Sequence, residues 1–371
     1  MEGMGYLIWP MSALKGCREL PPTLWCGVCP ATSTVFHFLF APSDTLSRPG
    51  EFVKKMMQES PAPVNSKVWA TLITNIEYLS GLLTLDYSLK KVGSKYPLVV
   101  LYTDSFPENG HKALDSRGIA KCHVPYLLPK NHKEYTNDVR FNDCWTKLIS
   151  FSLVQYERIV QLDSDMLVLQ NMDELMDIPL DASEMNGTGN RVFAASHACT
   201  CNPLKKPHYP ENWTKANCAF TTQHQNPNIA QTQGAPAIAG LGLLNSGLLI
   251  MNPSQGVYDK IVEQLASPAT LQYAFPDQDL LGDVFKGRWV ALPYIYNALK
   301  TLRWEGVHDA IWRDKHVKNV HYILSPKPWD QMAVDGTTQN GQRSDPSHAW
   351  WTTLNAERLD EEQQRSLADG F

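Results

Sequence analysis

The chain has 371 residues, 43% of them hydrophobic and 19% charged, which is enough to bury a full core and excludes wholesale disorder. A net charge of -5 at pH 7 gives no general attraction for a phosphate backbone or an anionic membrane surface, so nucleic-acid and membrane-surface roles are set aside. No run approaches the roughly 18 consecutive apolar residues that span a bilayer, and Val35 to Ala41, the most apolar early run, is far too short.

The first residues lack a basic segment followed by a continuous apolar one, and Pro10 and Lys15 interrupt the best candidate. No cleaved leader is expected, and cytoplasmic residence is favoured. Residues 1–65 are rich in proline, with Gly and Ser between and no sustained period, and read as a poorly ordered N-terminal extension. Within it Cys26 and Cys29 have redox-motif spacing, but no strand precedes them and no helical pattern follows, as that chemistry requires.

Alternating elements begin at Lys67. Val68 to Thr74 reads as a buried strand, Tyr78 to Lys91 as an amphipathic helix and Leu98 to Tyr102 as a second strand. A helix over Trp145 to Gln155 then leads into a strand over Arg158 to Leu162. This order predicts an α/β fold, a mostly parallel central sheet with flanking helices, over about residues 66–335. Sites in such sheets lie at the carboxyl ends of the strands.

The triplet Asp163-Ser164-Asp165 follows the last of these strands directly. Residues two apart in extended backbone project to one side, so both carboxylates can converge while Ser164 faces away, and such hard oxygen ligands suit Mg²⁺ or Mn²⁺. Farther on, Asn245 and Ser246 precede an apolar strand from Gly247 to Met251, where the glycine permits close backbone approach. Asp277 follows Pro276 and reads as a helix N-cap, a role that Asn75 also fits. Residues 183–240 are rich in Asn, Pro, Gln and Thr, which suits a lobe inserted over the site. There Cys199, Cys201 and Cys218, with His197 or His208, either bind a structural zinc or are buried or reactive thiols. Residues 336–371 form a tail, with a surface helix from Trp350 to near Leu367.

Taken together, Val68 to Tyr78, Lys147, the acidic triplet, Leu244 to Pro253, Phe275 to Leu281 and His321 to Trp329 occur in an order that resembles family 8 glycosyltransferases, the glycogenin and galactinol synthase group. The resemblance implies a GT-A type nucleotide-sugar-binding fold, a UDP-hexose donor, Mn²⁺ (with Mg²⁺ as the alternative) and retention of anomeric configuration. It implies that Leu72, Thr74, Asn75 and Tyr78 bind uridine, that Ser164 and Ser246 add to the donor site, and that Lys147 contacts phosphate or sugar. It further implies Asn245 on the sugar hydroxyls, Asp277 and Gln278 beside the anomeric carbon, His321 as third metal ligand with Asp163 and Asp165, and Lys327 on the β-phosphate. One departure shows: where the family often has a glycine soon after the histidine, this chain has Leu324 and Pro326.

A cysteine-bearing insertion is similar to that of galactinol synthases and absent from glycogenins, which leans towards a small polyol acceptor such as myo-inositol. The alternatives are a glycogenin-like glucosyltransferase acting on a protein or glucan, and a noncatalytic nucleotide-sugar-binding protein. No tyrosine stands between Asn297 and Tyr322, against self-glucosylation in the segment glycogenins use. The sequence leaves a homodimer open.

Overall fold

The computed structural model describes residues 66–131, 133–137, 139–330 and 345–371. The N-terminal extension, with the Cys26–Cys29 spacing and the Val35–Ala41 run, lies outside the described residues.

The strands are β1 (Lys67–Ile73), β2 (Leu98–Tyr102), β3 (Ala120–His123), β4 (Arg158–Leu162), β5 (Met166–Val168), β6 (Phe193–His197), β7 (Leu244–Met251), β8 (Val290–Ala291), β9 (Ala298–Leu299) and β10 (Asn319–His321). The helices are α1 (Leu79–Lys91), α2 (Glu108–Ser116), α3 (Gln255–Leu265), α4 (Pro276–Val284) and α5 (His348–Gln364). A seven-stranded sheet runs β3-β2-β1-β4-β7-β6-β8, and a small three-stranded sheet runs β5-β10-β9. In the large sheet only β7 runs against its neighbours, β4 and β6, and every other pairing is parallel. The expected mostly parallel α/β sheet with flanking helices is therefore present.

Its central strands are buried on both faces, and alternate side chains feed opposite layers. Val68, Ala70 and Ile159 pack with Trp145, Leu148 and the α3 and α4 residues Ile261 and Leu280. Trp69, Val160 and Leu162 pack on the other side with Leu85 and Leu89 of α1. This is the two-residue period of a pleated strand with cover on each face.

Two element expectations need revision, and the expected C-terminal surface helix is present with one face packed on the body. The helix placed at Trp145 to Gln155 is a 3₁₀ helix, Cys144–Ser152, with every residue from Trp145 to Ser152 buried. Wall-to-wall burial removes the polar face that would set a period of 3.6, so the pattern could not separate the two helix types. The C-terminal helix α5 lies against the body: Trp351 and Arg358 are buried, Thr84 Oγ1 donates to Asn355 Oδ1 at 2.8 Å, and Arg117 Nη2 pairs with Glu362 Oε2 at 2.7 Å. The 183–240 stretch begins inside the main sheet, because it contains β6; from β6 to β7 the chain otherwise forms short 3₁₀ turns and loops.

Candidate active site

Parallel pairing of β1 with β4 brings both carboxyl ends to one edge. Antiparallel β7 enters there, so that Asp163 N–H donates to Gly247 C=O at 2.8 Å. β5 turns away from the sheet and pairs with β10, aligning Met166 with His321, while Tyr322 N–H donates to Asp165 C=O at 2.9 Å. Main-chain bonds from three segments thus fix Asp163, Asp165 and His321 against one another.

Nε2 of His321 lies 3.2 Å from Asp165 Oδ1 and 3.8 Å from Asp163 Oδ2. These separations are also those expected of ligands to one ion, since neighbours around an octahedral ion held at about 2.1 Å stand about 3 Å apart. One imidazole with two carboxylates suits Mn²⁺. Ser164 turns away as expected, its Oγ donating to Leu72 C=O at 3.1 Å.

The imidazole is oriented by a chain of amides. Gly247 N–H donates to Asn245 Oδ1 at 3.1 Å, and Asn297 Nδ2 donates to the same oxygen at 2.8 Å. That leaves Asn297 Oδ1 to accept from His321 Nδ1 at 2.9 Å. Nδ1 therefore carries a proton, which leaves Nε2 as the nitrogen directed at the carboxylates.

Two buried lysines flank the acids. Nζ of Lys147 bridges Asp163 Oδ1 at 3.1 Å and Asp277 Oδ2 at 2.9 Å. Burial opposes its charge, yet those two carboxylates hold its pKa well above the usual lysine value. Lys327 Nζ pairs with Asp165 Oδ2 and donates to Tyr322 C=O at 2.7 Å. Asp165 is driven up by burial, but Lys327 and His321 outweigh this and keep its carboxyl well below the normal range. Asp163, buried beside Asp165, is raised, with Lys147 opposing the shift.

At the other end of the cavity, Asn75 caps a 3₁₀ turn by accepting from Glu77 N–H at 3.0 Å, and Thr74 Oγ1 donates to Asp143 Oδ2 at 2.7 Å. The Tyr78 ring meets Trp329 edge-on at 5.5 Å, with Lys327 Nζ 5.7 Å from its centre. Arg140 Nη1 donates to the Tyr78 hydroxyl at 2.7 Å. Across the cavity, Trp213 from the lobe stacks on Phe275 with centroids 4.5 Å apart and planes within 8°. Gln278 Nε2 is buried without a hydrogen-bond partner among the described residues.

Every candidate lines one cavity of about 250 Å³: Leu72, Thr74, Asn75, Tyr78, Lys147, Asp163, Ser164, Asp165, Asn245, Ser246, Asp277, Gln278, His321 and Lys327. Leu324 has φ 66°, in the left-handed region that a glycine enters at little cost. The loop thus has, with leucine, the backbone conformation that suits the glycine it lacks.

Sequence reasoning missed Asn297, Arg140 and Asp143, whose partners are distant in the chain. It also named the wrong histidines for the cysteines. His197 is buried with its ring nitrogens on the Leu243 and Ala235 carbonyls, at 3.2 and 3.1 Å, and His208 lies edge-on to Tyr209 at 5.1 Å. The histidine beside the thiols is His308.

The family model described as Glycosyl transferase family 8 matches residues 70–333. Galactinol synthase 2 of Arabidopsis thaliana is 28% identical over 290 residues, covering 76% of this chain and 79% of that protein. Galactinol synthase 1 of Ajuga reptans is 28% identical over 307 residues, covering 80% and 83%. Among solved structures, the glycosyltransferase GlyE of Streptococcus pneumoniae TIGR4 has a TM-score of 0.50 at 15% identity, over 81% of this chain and 65% of that one. The bifunctional WbbM structure scores 0.51 at 16% identity, over 80% and 52%. The chain spans less than two thirds of either solved chain, and at these identities the likeness concerns the fold.

Proposed function

Because the chain belongs to glycosyl transferase family 8 and has the GT-A fold of its structural neighbours, we propose that it transfers a hexose from UDP-galactose or UDP-glucose, with retention, to a hydroxyl of a small polyol such as myo-inositol. The observation that carries the reading is the convergence of Asp163, Asp165 and His321, within 4.8 Å of one another, in the cavity that also holds Lys147, Lys327 and Tyr78.

In this reading Tyr78 and Asn75 receive the uracil ring, with Thr74 and Leu72 along the nucleoside. Asp163, Asp165 and His321 would hold Mn²⁺, which when bound supplies positive charge to the diphosphate. Lys327 adds a compact charge for the β-phosphate as the nucleotide departs. Asn245 and Asp277 orient the sugar, Lys147 holds the Asp277 carboxylate in place, and the unpartnered Gln278 amide faces the reacting sugar. Trp213 and Phe275 offer an apolar wall for the acceptor ring. The galactinol synthase relatives support the polyol acceptor, and the five unpaired described cysteines support residence in a reducing compartment.

The test is donor hydrolysis and transfer. With UDP-galactose or UDP-glucose, Mn²⁺ and myo-inositol, the wild-type chain should release UDP and form a glycosylated polyol, and Asp165→Ala should lose at least about 100-fold in rate. Equal turnover by both proteins would overturn the metal assignment.

A further inference from the structure

We propose that Cys199, Cys201, Cys218 and His308 form a second metal centre, a structural zinc site that fastens the lobe between β6 and β7 to the segment that follows β9. The three sulfurs and one imidazole nitrogen lie within 4.8 Å of one another. His308 Nε2 is 3.1 Å from Cys201 Sγ and 3.2 Å from Cys218 Sγ. Zinc bonds of about 2.3 Å to sulfur and about 2.0 Å to nitrogen, at a tetrahedral angle, separate such ligands by about 3.5 Å. The cluster is therefore a few tenths of an ångström tighter than the bound geometry, and small side-chain rotations suffice to admit the ion.

The surroundings are those of a closed site. Cys218 and His308 are fully buried, in a core with Phe220, Leu302 and Ile311, with Cys199 and Cys201 packed against it. All three cysteines are unpaired thiols. The other ring nitrogen of the ligand is also held, with His308 Nδ1 2.9 Å from His224 Nε2. Such an outer partner fixes which imidazole nitrogen faces the ion. Thiolates with one imidazole select zinc among common divalent ions, and four protein ligands leave no open position, which makes the role structural.

The fold supplies a need for such a clamp. From β6 to β7 the chain has only short 3₁₀ turns, with no strand or α-helix to hold it. Yet Cys199, Asn202, Tyr209 and Trp213 from this stretch line the active-site cavity. A metal bonded to Cys199, Cys201 and Cys218 gives the stretch rigidity that its main-chain hydrogen bonds do not.

The test is metal content. Full-length protein purified without chelator should carry about one zinc per chain, released in step with titration of its thiols by a mercurial reagent. Cobalt-exchanged protein should show the intense visible absorption of tetrahedral thiolate ligation. Cys201→Ser should lose most of the zinc, and His308→Cys should retain it with a changed cobalt spectrum, so that a failure to fold is told apart from a loss of ligand. Asp165→Asn should keep the zinc, which separates this centre from the acidic site. Wild-type protein without zinc, whether its three thiols react freely or two are found as a disulfide, would overturn the proposal, as would zinc retained by Cys201→Ser.

Discussion

Gly247 lies so close to His321 that a methyl group on its Cα would stand 2.4 Å from the imidazole Cε1 and 2.8 Å from Nδ1. The glycine is needed here for closeness of approach, since its backbone is in a strand. Gly247→Ala should therefore fold, with a melting temperature within a few degrees of wild type, but with its imidazole displaced. Mn²⁺ affinity and donor hydrolysis should each fall at least about tenfold. A titration that found wild-type metal affinity would refute the packing argument.

Asn297 acts on the proposed metal ligands only through His321, by accepting its Nδ1 proton. Asn297→Ala should weaken Mn²⁺ binding about 10- to 100-fold. Asn297→Asp, which still accepts that proton but loses the donor to Asn245 Oδ1, should restore part of it. The comparison is made by metal titration rather than by rate alone, because a merely structural defect would not be rescued by the carboxylate.

Lys147 neutralises two carboxylates, Asp163 and Asp277. Lys147→Met strands both, and should cost about 3–5 kcal/mol of stability at pH 8. Without the ammonium the Asp163 carboxyl, already raised by burial, rises further, so the native state binds more protons and stability falls as pH rises. The deficit should accordingly shrink at pH 5. Denaturant unfolding at the two pH values reads it directly, and a pH-independent deficit would count against the charge argument.

His348 is buried at the start of α5, with Nε2 3.2 Å from Lys300 Nζ. Burial first, then the Lys300 charge, lowers its pKa to about 4. Between pH 4 and the ordinary value near 6.5 the unfolded chain binds the extra proton, so stability is present above pH 6.5 and is lost on acidification towards 4. The loss amounts to about 3 kcal/mol. His348→Gln, which retains an acceptor, should flatten that part of the stability profile; an unchanged slope would place the acid sensitivity elsewhere.

Much of this was legible because the relevant patterns are local. The apolar runs of β1, β2 and β4 and the acidic triplet directly after β4 place a carboxylate pair at a strand's carboxyl end from the sequence alone. The resemblance then supplied His321 and Lys327, which no spacing rule connects to the triplet. What stayed hidden was pairwise and distant. Asn297 reads as the end of a Leu-Pro-x-x-x-Asn run, and nothing local says that its amide will bridge β7 and β10. His308 meets Cys218 from 90 positions away, and no local pattern links the two.

Lys327 and Asp165 are 162 positions apart in the chain, and β10 is the last strand among the described residues. On a ribosome the two acids emerge long before the imidazole and ammonium that relieve their repulsion. The proposed metal centre would therefore be assembled only once β10 has docked, and any fragment ending before residue 319 would carry the aspartates without His321 and Lys327.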